Sequence, residues 1–225
     1  MTISFSAKAA LGALALSFAA PAIAQQSQGN IQLKAFVTNV RPDGGIEQVR
    51  TDAIGLPAGS DTRATNSVVP TIAAEYFLSP NLSLETICCV TPHDVRGSGA
   101  LSGARLIENA VILPATVTAK LHLPLGGVKP YVGAGVTRFF IFGEDVGRDA
   151  AALGATDVDL SNEWGTVLQA GVDAPLNERG LGLSVDVKRY FVDTTATFRA
   201  GNVTALRSDH KLDPWVISAG ISLRF

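Results

Sequence analysis

Long apolar runs are missing from this sequence beyond residue 24. No later segment approaches the run of about 18 to 20 apolar residues that a membrane-spanning helix needs. Charged residues are also few, at 17% of the chain, and nearly balanced, with 18 Lys+Arg against 20 Asp+Glu and a net charge of -2. A nucleic-acid-binding protein needs a basic face, so this balance argues against that class.

Cysteine is scarce, and the two present, Cys88 and Cys89, are adjacent. Successive strand side chains point to opposite faces, which disfavours a disulfide between them. We interpret both as small apolar strand residues, with a redox role as the alternative. His/Cys zinc spacing is absent, and the acidic run of Asp157, Asp159 and Glu163 lacks the glycine and ligand spacing of a calcium loop. We therefore expect no metal and no cofactor.

The N-terminal segment Met1–Ala24 has the pattern of an export signal. It carries one charge, Lys8, followed by an apolar run and a small-residue ending, Ala-Ile-Ala. This order predicts a secretory signal peptide that is cleaved after Ala24. Residues 25–225 are then expected to form a single domain, which stays mildly acidic because the signal contributes only one lysine.

Alternation of apolar and polar residues dominates the rest of the chain. In Leu113–Val136, every second residue up to Leu123 is apolar, and the alternation resumes after a Leu-Gly-Gly turn. A period of two predicts a β-hairpin with one apolar face. In a soluble sandwich that face would form the core, whereas in an outer-membrane barrel it would face lipid and the polar face would line the lumen.

Strand count and connection lengths favour the barrel. Four connections of about twenty residues alternate with three tight turns rich in Pro, Gly and Asn. This alternation predicts an all-β fold, an eight-stranded antiparallel transmembrane β-barrel with long extracellular loops and short periplasmic turns. The predicted strands are Asn30–Val40, Val68–Leu78, Leu82–Thr91, Val111–Leu123, Val128–Phe142, Asn162–Ala174, Leu181–Asp193 and Asp213–Phe225.

Charged residues recur on the inward faces of these strands. An eight-stranded barrel is just wide enough for side chains to fill it, and unpaired buried charges are costly. We therefore predict an ion-pair network that closes the lumen, with a water-filled channel as the alternative. The predicted members are Lys34, Glu75, Glu85, Lys120, Lys129, Asp173, Asp186, Lys188 and Arg224.

Aromatic residues cluster near the predicted strand ends, as in the girdles of membrane barrels. Ordinary core aromatics are the alternative. Arg138 breaks the pattern of the fifth strand, which predicts either a β-bulge or the point where the strand leaves the bilayer. The girdle is predicted to comprise Tyr76 and Phe225 at the periplasmic end and Phe139, Phe140, Phe142, Phe191 and Trp215 at the outer end.

Six segments together resemble the outer membrane protein W (OmpW) family and cover the mature chain in family order. The residue that follows the leucine-proline pair of an LPPT-like motif is Ala115 here instead of proline. The segments are LKAFVTNVRP (Leu33–Pro42), NLSLET to TP (Asn81–Pro92), LPATVTAKLHL with KPYVGAGV (Leu113–Val136), EWGTVLQAGVDAPLN (Glu163–Asn177), VDTTA (Val192–Ala196) and LDPWVISAGISLRF (Leu212–Phe225).

The resemblance implies a bacterial outer-membrane barrel with a narrow, partly apolar pocket that binds or passes small hydrophobic molecules. We expect lateral exit through the wall where Pro70, Pro114 or glycines weaken it, and surrounding outer-membrane lipid as a partner. The C-terminal strand ending in Phe225 also resembles the signal read by the barrel-insertion machinery. The predicted pocket residues are Phe36, Val40, Ile87, Val167, Tyr190, Val192 and Val216.

Two other functions remain open from the sequence. One is a structural or adhesive barrel that acts as a receptor through its extracellular loops. The other is a lipid A-modifying enzyme, which would need a nucleophile beside a base. His122 has no serine two positions away on its own strand. We therefore predict that the protein is not an enzyme and has no catalytic residues.

Overall fold

The computed structural model of the protein describes residues 29–225. The predicted signal peptide, Met1–Ala24, lies outside them. Within the described range no helix is long and apolar enough to span a membrane. The described elements are β1 (Ile31–Arg41), β2 (Ile46–Asp52), β3 (Ser60–Ala64), β4 (Ser67–Ser79), β5 (Leu82–Cys88), β6 (Thr91–Gly99), β7 (Arg105–His122), β8 (Lys129–Phe142), β9 (Asp145–Val146), α1 (Arg148–Ala152), β10 (Asp157–Leu160), β11 (Glu163–Pro175), β12 (Leu181–Phe191), β13 (Asp193–Ala200), β14 (Val203–Lys211) and β15 (Trp215–Arg224).

Eight strands close into an antiparallel barrel. Their order around the ring is β1, β4, β5, β7, β8, β11, β12 and β15, and β15 pairs with β1 to complete it. The first and last described strands meet at this seam, where the Ile31 amide donates to the Phe225 carbonyl oxygen at 3.1 Å and the Phe225 amide donates to the Ile31 carbonyl oxygen at 2.9 Å. The predicted fold class is confirmed, and each predicted wall strand corresponds to a strand of the barrel, although the third, predicted as Leu82–Thr91, ends at Cys88.

Side chains alternate between the two faces of the wall throughout. On β1, for example, Leu33 and Val37 point outward and are 42% and 67% exposed, whereas Lys34 and Thr38 point inward and are buried. The outward face of the wall is apolar and the inward face is largely polar. Among β-structures, only a closed barrel pairs its edge strands in hydrocarbon, and apolar residues outside with polar residues inside are the pattern of a membrane-spanning barrel.

The fifth predicted strand contains two differences from expectation. Strand β8 keeps one register with both neighbours past Arg138, so the predicted bulge is wrong. Arg138 instead occupies an outward position at the upper end of the strand. Phe139, predicted to belong to the girdle, points into the lumen, where it is 4% exposed and its ring centroid lies 5.5 Å from that of Tyr190.

The long connections are regular structure and not irregular loops. Strands β10, β13, β14 and β2 form a separate four-stranded antiparallel sheet at the outer end. Opposite it, β7 extends beyond the barrel and pairs with β6 and β9, while β3 pairs with β6. Alternating sequence in these connections, such as Thr194, Ala196 and Phe198 facing inward, accounts for the additional strands.

Candidate functional site

An ion-pair network centred on Lys34 fills the lower lumen. Its ammonium Nζ lies 2.9 Å from Glu75 Oε2, 3.5 Å from Glu85 Oε2 and 3.1 Å from Asp173 Oδ1. Lys120 contacts the same Glu75 and Glu85 carboxylates at 2.9 and 2.8 Å. These five residues come from β1, β4, β5, β11 and β7, so the network ties the wall together across its interior.

Lys188 extends the network upward. Its Nζ lies 3.1 Å from Glu85 Oε1 and 2.6 Å from Asp186 Oδ1. The Gln169 amide donates to Glu85 at 2.8 Å and to Asp186 at 2.6 Å, and the Tyr131 hydroxyl donates to Asp186 at 2.8 Å. The alternation predicts that Gln169 and Tyr131 face inward. The predicted network omitted them because it included only charged residues.

Lys129 and Arg224, also predicted for the network, lie at the periplasmic mouth. Lys129 is the cross-strand neighbour of Asp173. The Arg224 guanidinium lies 3.6 Å from the centre of the Phe77 ring, and its Nε donates to the Gly29 carbonyl oxygen at 2.9 Å. The gap that they border measures only about 20 Å³. Both cations therefore help to close the rim.

A histidine, a serine and a carboxylate meet in the lower lumen. His122 Nε2 lies 2.8 Å from Ser83 Oγ and 2.9 Å from Glu75 Oε1. Ser83 lies on the neighbouring strand β5, which is why a search of His122's own strand missed it. A hydrolytic triad places the serine and the acid on opposite ring nitrogens, whereas here both contact Nε2 and Ser83 is fully buried. The arrangement differs from a triad and forms part of the network.

The upper lumen is lined mostly by apolar side chains and contains all seven residues of the predicted pocket. They divide between two buried clusters, and the space left beside them measures about 30 Å³, enough for a water-sized molecule. Side chains therefore fill the predicted pocket in this conformation. One cluster comprises Val40, Phe139, Val167, Tyr190, Val192 and Val216, and the other Phe36, Val69, Ala73, Ile87 and Cys89.

A larger apolar cavity, of about 540 Å³, lies above the barrel. It lies between the separate four-stranded sheet and the extension of β7 with α1, and it is partly open to the outside. Its volume is in the range of small-molecule sites, which are typically about 300–1,000 Å³. The sequence prediction missed it because these residues were assigned to loops. Residues that line it include Ile46, Val95, Ile107, Ala150, Ala196, Phe198, Leu206 and His210.

His210 supplies a polar group to this cavity. Its Nδ1 lies 3.1 Å from Thr62 Oγ1 and its Nε2 lies 2.8 Å from Ser208 Oγ. Burial lowers the pKa of His210, and the smaller opposing effects of Asp61 and Asp209 do not offset this. The neutral His210 imidazole, hydrogen-bonded to the hydroxyls of Thr62 and Ser208, adds no charge to the cavity wall.

The barrel wall is interrupted between β4 and the β5–β6 segment. Pairing of β4 with β5 ends at Ile72 and Cys88, and it resumes higher up between β3 and β6 at Ala64 and Val95. We call the unpaired stretch, Ser67–Thr71 facing Cys89–His93, the wall gap. It contains Pro70 and Pro92, which have no amide hydrogen to donate. The edge of β7 that faces this segment is also unpaired near Pro114, between its pairings with β5 and β6. Cys89 and Val90 therefore have no ladder partner on either side.

The sequence and fold comparisons agree with this architecture. The model of the OmpW family matches residues 27–225. The uncharacterized outer-membrane protein y4mB of Sinorhizobium fredii is 30% identical over 96% of this chain and 91% of its own length. The dibenzothiophene metabolism operon protein PahQ of Pseudomonas aeruginosa is 29% identical over 92% of this chain and 93% of its own length.

A solved structure shows the same fold. The crystal structure of the outer membrane protein OprG from Pseudomonas aeruginosa superposes with a TM-score of 0.78 at 24% identity, covering 88% of this chain and 96% of OprG. With a closed barrel, an apolar outer face and a family match over nearly the whole chain, the protein belongs to the OmpW family and resides in the bacterial outer membrane.

Proposed function

We propose that this protein takes up small hydrophobic molecules through its extracellular cavity and releases them sideways into the outer membrane through the wall gap. The observation that carries the proposal is a roomy apolar cavity, about 540 Å³, above a lumen whose lower half is closed by paired charges. An apolar ligand can enter the cavity but meets ions below it, and transferring it past them is unfavourable.

An apolar path connects the cavity to the wall gap. Ile112 and Leu212 pack both against the buried cluster that borders the cavity and against the upper-lumen cluster that contains Tyr190 and Val216. The small space of about 30 Å³ beside the second cluster is lined by Cys89 and His93 of the wall gap. Passage requires these side chains to move apart, and the ligand would then reach lipid where the ladder is missing.

Similarity to PahQ supports the choice of ligand. That relative is named for a dibenzothiophene metabolism operon. Dibenzothiophene is a fused, apolar aromatic compound. An apolar cavity with a single neutral histidine among its polar groups suits compounds of this class, because burying apolar surface is the main source of affinity there.

Restoring the ladder tests lateral release. Pro70→Thr/Pro92→Thr supplies two amide donors to the wall gap and should reduce uptake of radiolabelled naphthalene by cells several-fold. Pro130→Thr is the matched control, because Pro130 lies on β8 within a continuous register with β11. Equal uptake by the two variants at equal amounts of folded protein would refute lateral release through this gap.

A charge in the upper lumen tests the path that precedes release. Ile87→Glu or Val167→Glu places a carboxylate among the buried apolar side chains. Naphthalene uptake should fall while the heat-modifiable folded barrel still forms on gels. Unchanged uptake would show that the ligand does not pass these residues.

Assembly of the barrel is proposed to depend on the last strand. Phe225 is 57% exposed and ends the outward row of Ile221 and Leu223. This row offers the insertion machinery an apolar edge that ends in an aromatic ring. Phe225→Ala should lower the amount of assembled protein in cells without changing the stability of protein refolded in vitro.

A further inference from the structure

Arginine is the first charged residue on the outward rows of three wall strands. Along β1, β8 and β12, the outward side chains are uncharged from the periplasmic end up to Arg41, Arg138 and Arg189 respectively. All three lie at the outer end of the barrel, where the long connections begin. The outward rows of β11 and β15 end at this side of the barrel in Trp164 and Trp215.

The five residues form two groups of cross-strand neighbours at the outer end of the wall. Arg41 and Arg189 both pair in register with Trp215, and Arg138 pairs with Trp164. The Arg189 guanidinium carbon lies 5.0 Å from the Trp215 ring centre, and that of Arg138 lies 5.5 Å from the Trp164 ring centre. These distances are in the range of cation–π contacts. We name this surface, formed by Arg41, Trp215, Arg189, Trp164 and Arg138, the arginine–tryptophan belt.

We propose that the belt binds the phosphate groups of outer-leaflet lipid headgroups. A guanidinium presents a planar fork of donors that matches phosphate oxygens, and aromatic stacking holds the fork in place. At the outer end of the wall, the groups that face these arginines belong to lipid headgroups. Aromatic rings favour the level where the acyl-chain and headgroup regions of the lipid meet. The belt therefore offers apolar contacts and hydrogen-bond donors at the depth of the headgroups.

An unpaired donor in the belt also points to an external acceptor. Arg138 Nε is shielded from water and has no hydrogen-bond acceptor among residues 29–225, and the guanidinium carbon of Arg138 lies 5.1 and 5.5 Å from the ring centres of Phe140 and Trp164. Leaving a shielded donor of a charged group unsatisfied is costly. A turn of the Arg138 side chain would bring this donor to a lipid phosphate oxygen outside the barrel.

Asp43 competes for one of the three guanidiniums. Its Oδ2 lies 3.1 Å from Arg189 Nη1, and the Asp43 carboxylate is 63% exposed. Surface pairs of this kind are weak and easily exchanged. Removing Asp43 should therefore free Arg189 for phosphate, whereas a purely structural role of Arg189 would require the pair.

The test compares lipid retention by the full barrel in nanodiscs. One set of discs contains bisphosphorylated lipid A and a matched set contains lipid A with both phosphates removed. Native mass spectrometry counts the glycolipid retained after transfer to detergent. Arg138→Gln/Arg189→Gln should weaken retention of the phosphorylated form about tenfold, as expected for the loss of charge-assisted hydrogen bonds. Asp43→Asn should retain at least as much lipid as the parent.

Two controls make the outcome decisive. Arg207→Gln removes an exposed arginine of β14, away from the belt, and should leave retention unchanged. Inorganic phosphate at millimolar concentration should fail to displace the lipid, which separates headgroup binding from binding of a free anion. Equal retention of both lipid A forms, or Asp43→Asn behaving like the double arginine variant while both fold normally, would overturn the proposal.

Discussion

Lys34 and Glu75 meet inside the barrel with Nζ and Oε2 2.9 Å apart and both side chains fully buried. They are not directly opposite in the ladder, since β1 and β4 pair Lys34 with Ala73 and Glu75 with Gln32. The long side chains therefore bridge diagonally, a separation that only such side chains can span. Glu75 also contacts Lys120 and His122, which lie on β7, two strands away from β4 in the direction opposite to β1.

Glu75→Gln should destabilise the barrel strongly. The change removes the carboxylate that two buried ammonium groups share, and breaking a buried pair costs about 3–5 kcal/mol. Urea unfolding in lipid vesicles, followed by tryptophan fluorescence, measures the loss. Lys211→Met breaks the exposed pair with Glu47 and should barely move the unfolding midpoint. A Glu75→Gln midpoint shift no larger than this control would contradict a stabilising network.

The parent protein should pass little ion current in planar lipid bilayers. Its lumen is narrow and its lower half is filled by paired side chains, whereas open aqueous pores have about sixteen or more strands. Glu85→Ala/Lys188→Ala shortens two buried side chains that lie 3.1 Å apart and should raise the conductance. A large, steady conductance in the parent would show that the network does not close the lumen.

The wall could be predicted from the sequence because one rule governs every strand. Burial of alternate side chains imposes a period of two, and this period placed residues such as Lys34 and Leu33 on the correct faces. Phe139 was assigned to the girdle because it is aromatic. Its position in the alternation of β8 instead places it on the inward face. Three-dimensional neighbours such as Ser83 and His122 were beyond reach, because their contact depends on the register between β5 and β7.

Filling the extracellular cavity should block uptake without disturbing the barrel. Ala196 is 1% exposed and lines the cavity, so Ala196→Trp occupies space that a ligand would need. Naphthalene uptake should fall several-fold. Thr197→Trp, on the opposite face of β13, is the size-matched control. Comparable uptake by the two variants, both folded, would argue that the cavity is not on the route.

Acidification should loosen the sheet around His210. Because the pKa of His210 is lowered in the folded state, the unfolded segment binds a proton first as the pH falls through about 6.5. The stability that the neutral imidazole contributes is thus present above that pH and is lost below it. Hydrogen exchange of β14 amides, corrected for intrinsic rates, should be faster at acidic than at neutral pH.

A variant separates this effect from general acid sensitivity. His210→Gln keeps a hydrogen-bonding side chain but cannot titrate in this range. Its β14 amides should show little dependence on pH once intrinsic exchange is removed. An equal pH response in the parent and in His210→Gln would assign the effect to other groups.

The functional site was harder to predict than the wall for a physical reason. Inward apolar residues such as Tyr190 and Val216 were identified, but whether they enclose space depends on how side chains pack, which alternation does not determine. The roomy cavity instead arises where β13 and β14 fold over the extension of β7. That association involves segments distant in the chain, and nothing local to either segment marks it.

Photolabelling tests the route through the protein most directly. A naphthalene derivative that carries a diazirine would be activated on the barrel in nanodiscs, and the labelled residues identified by mass spectrometry. We predict labels at Phe198 and Leu206 in the cavity and at Val90 in the wall gap, with none at Gln169 or His122. Labelling of Gln169 and His122 in the ion-paired lumen, with Val90 unmodified, would contradict lateral release.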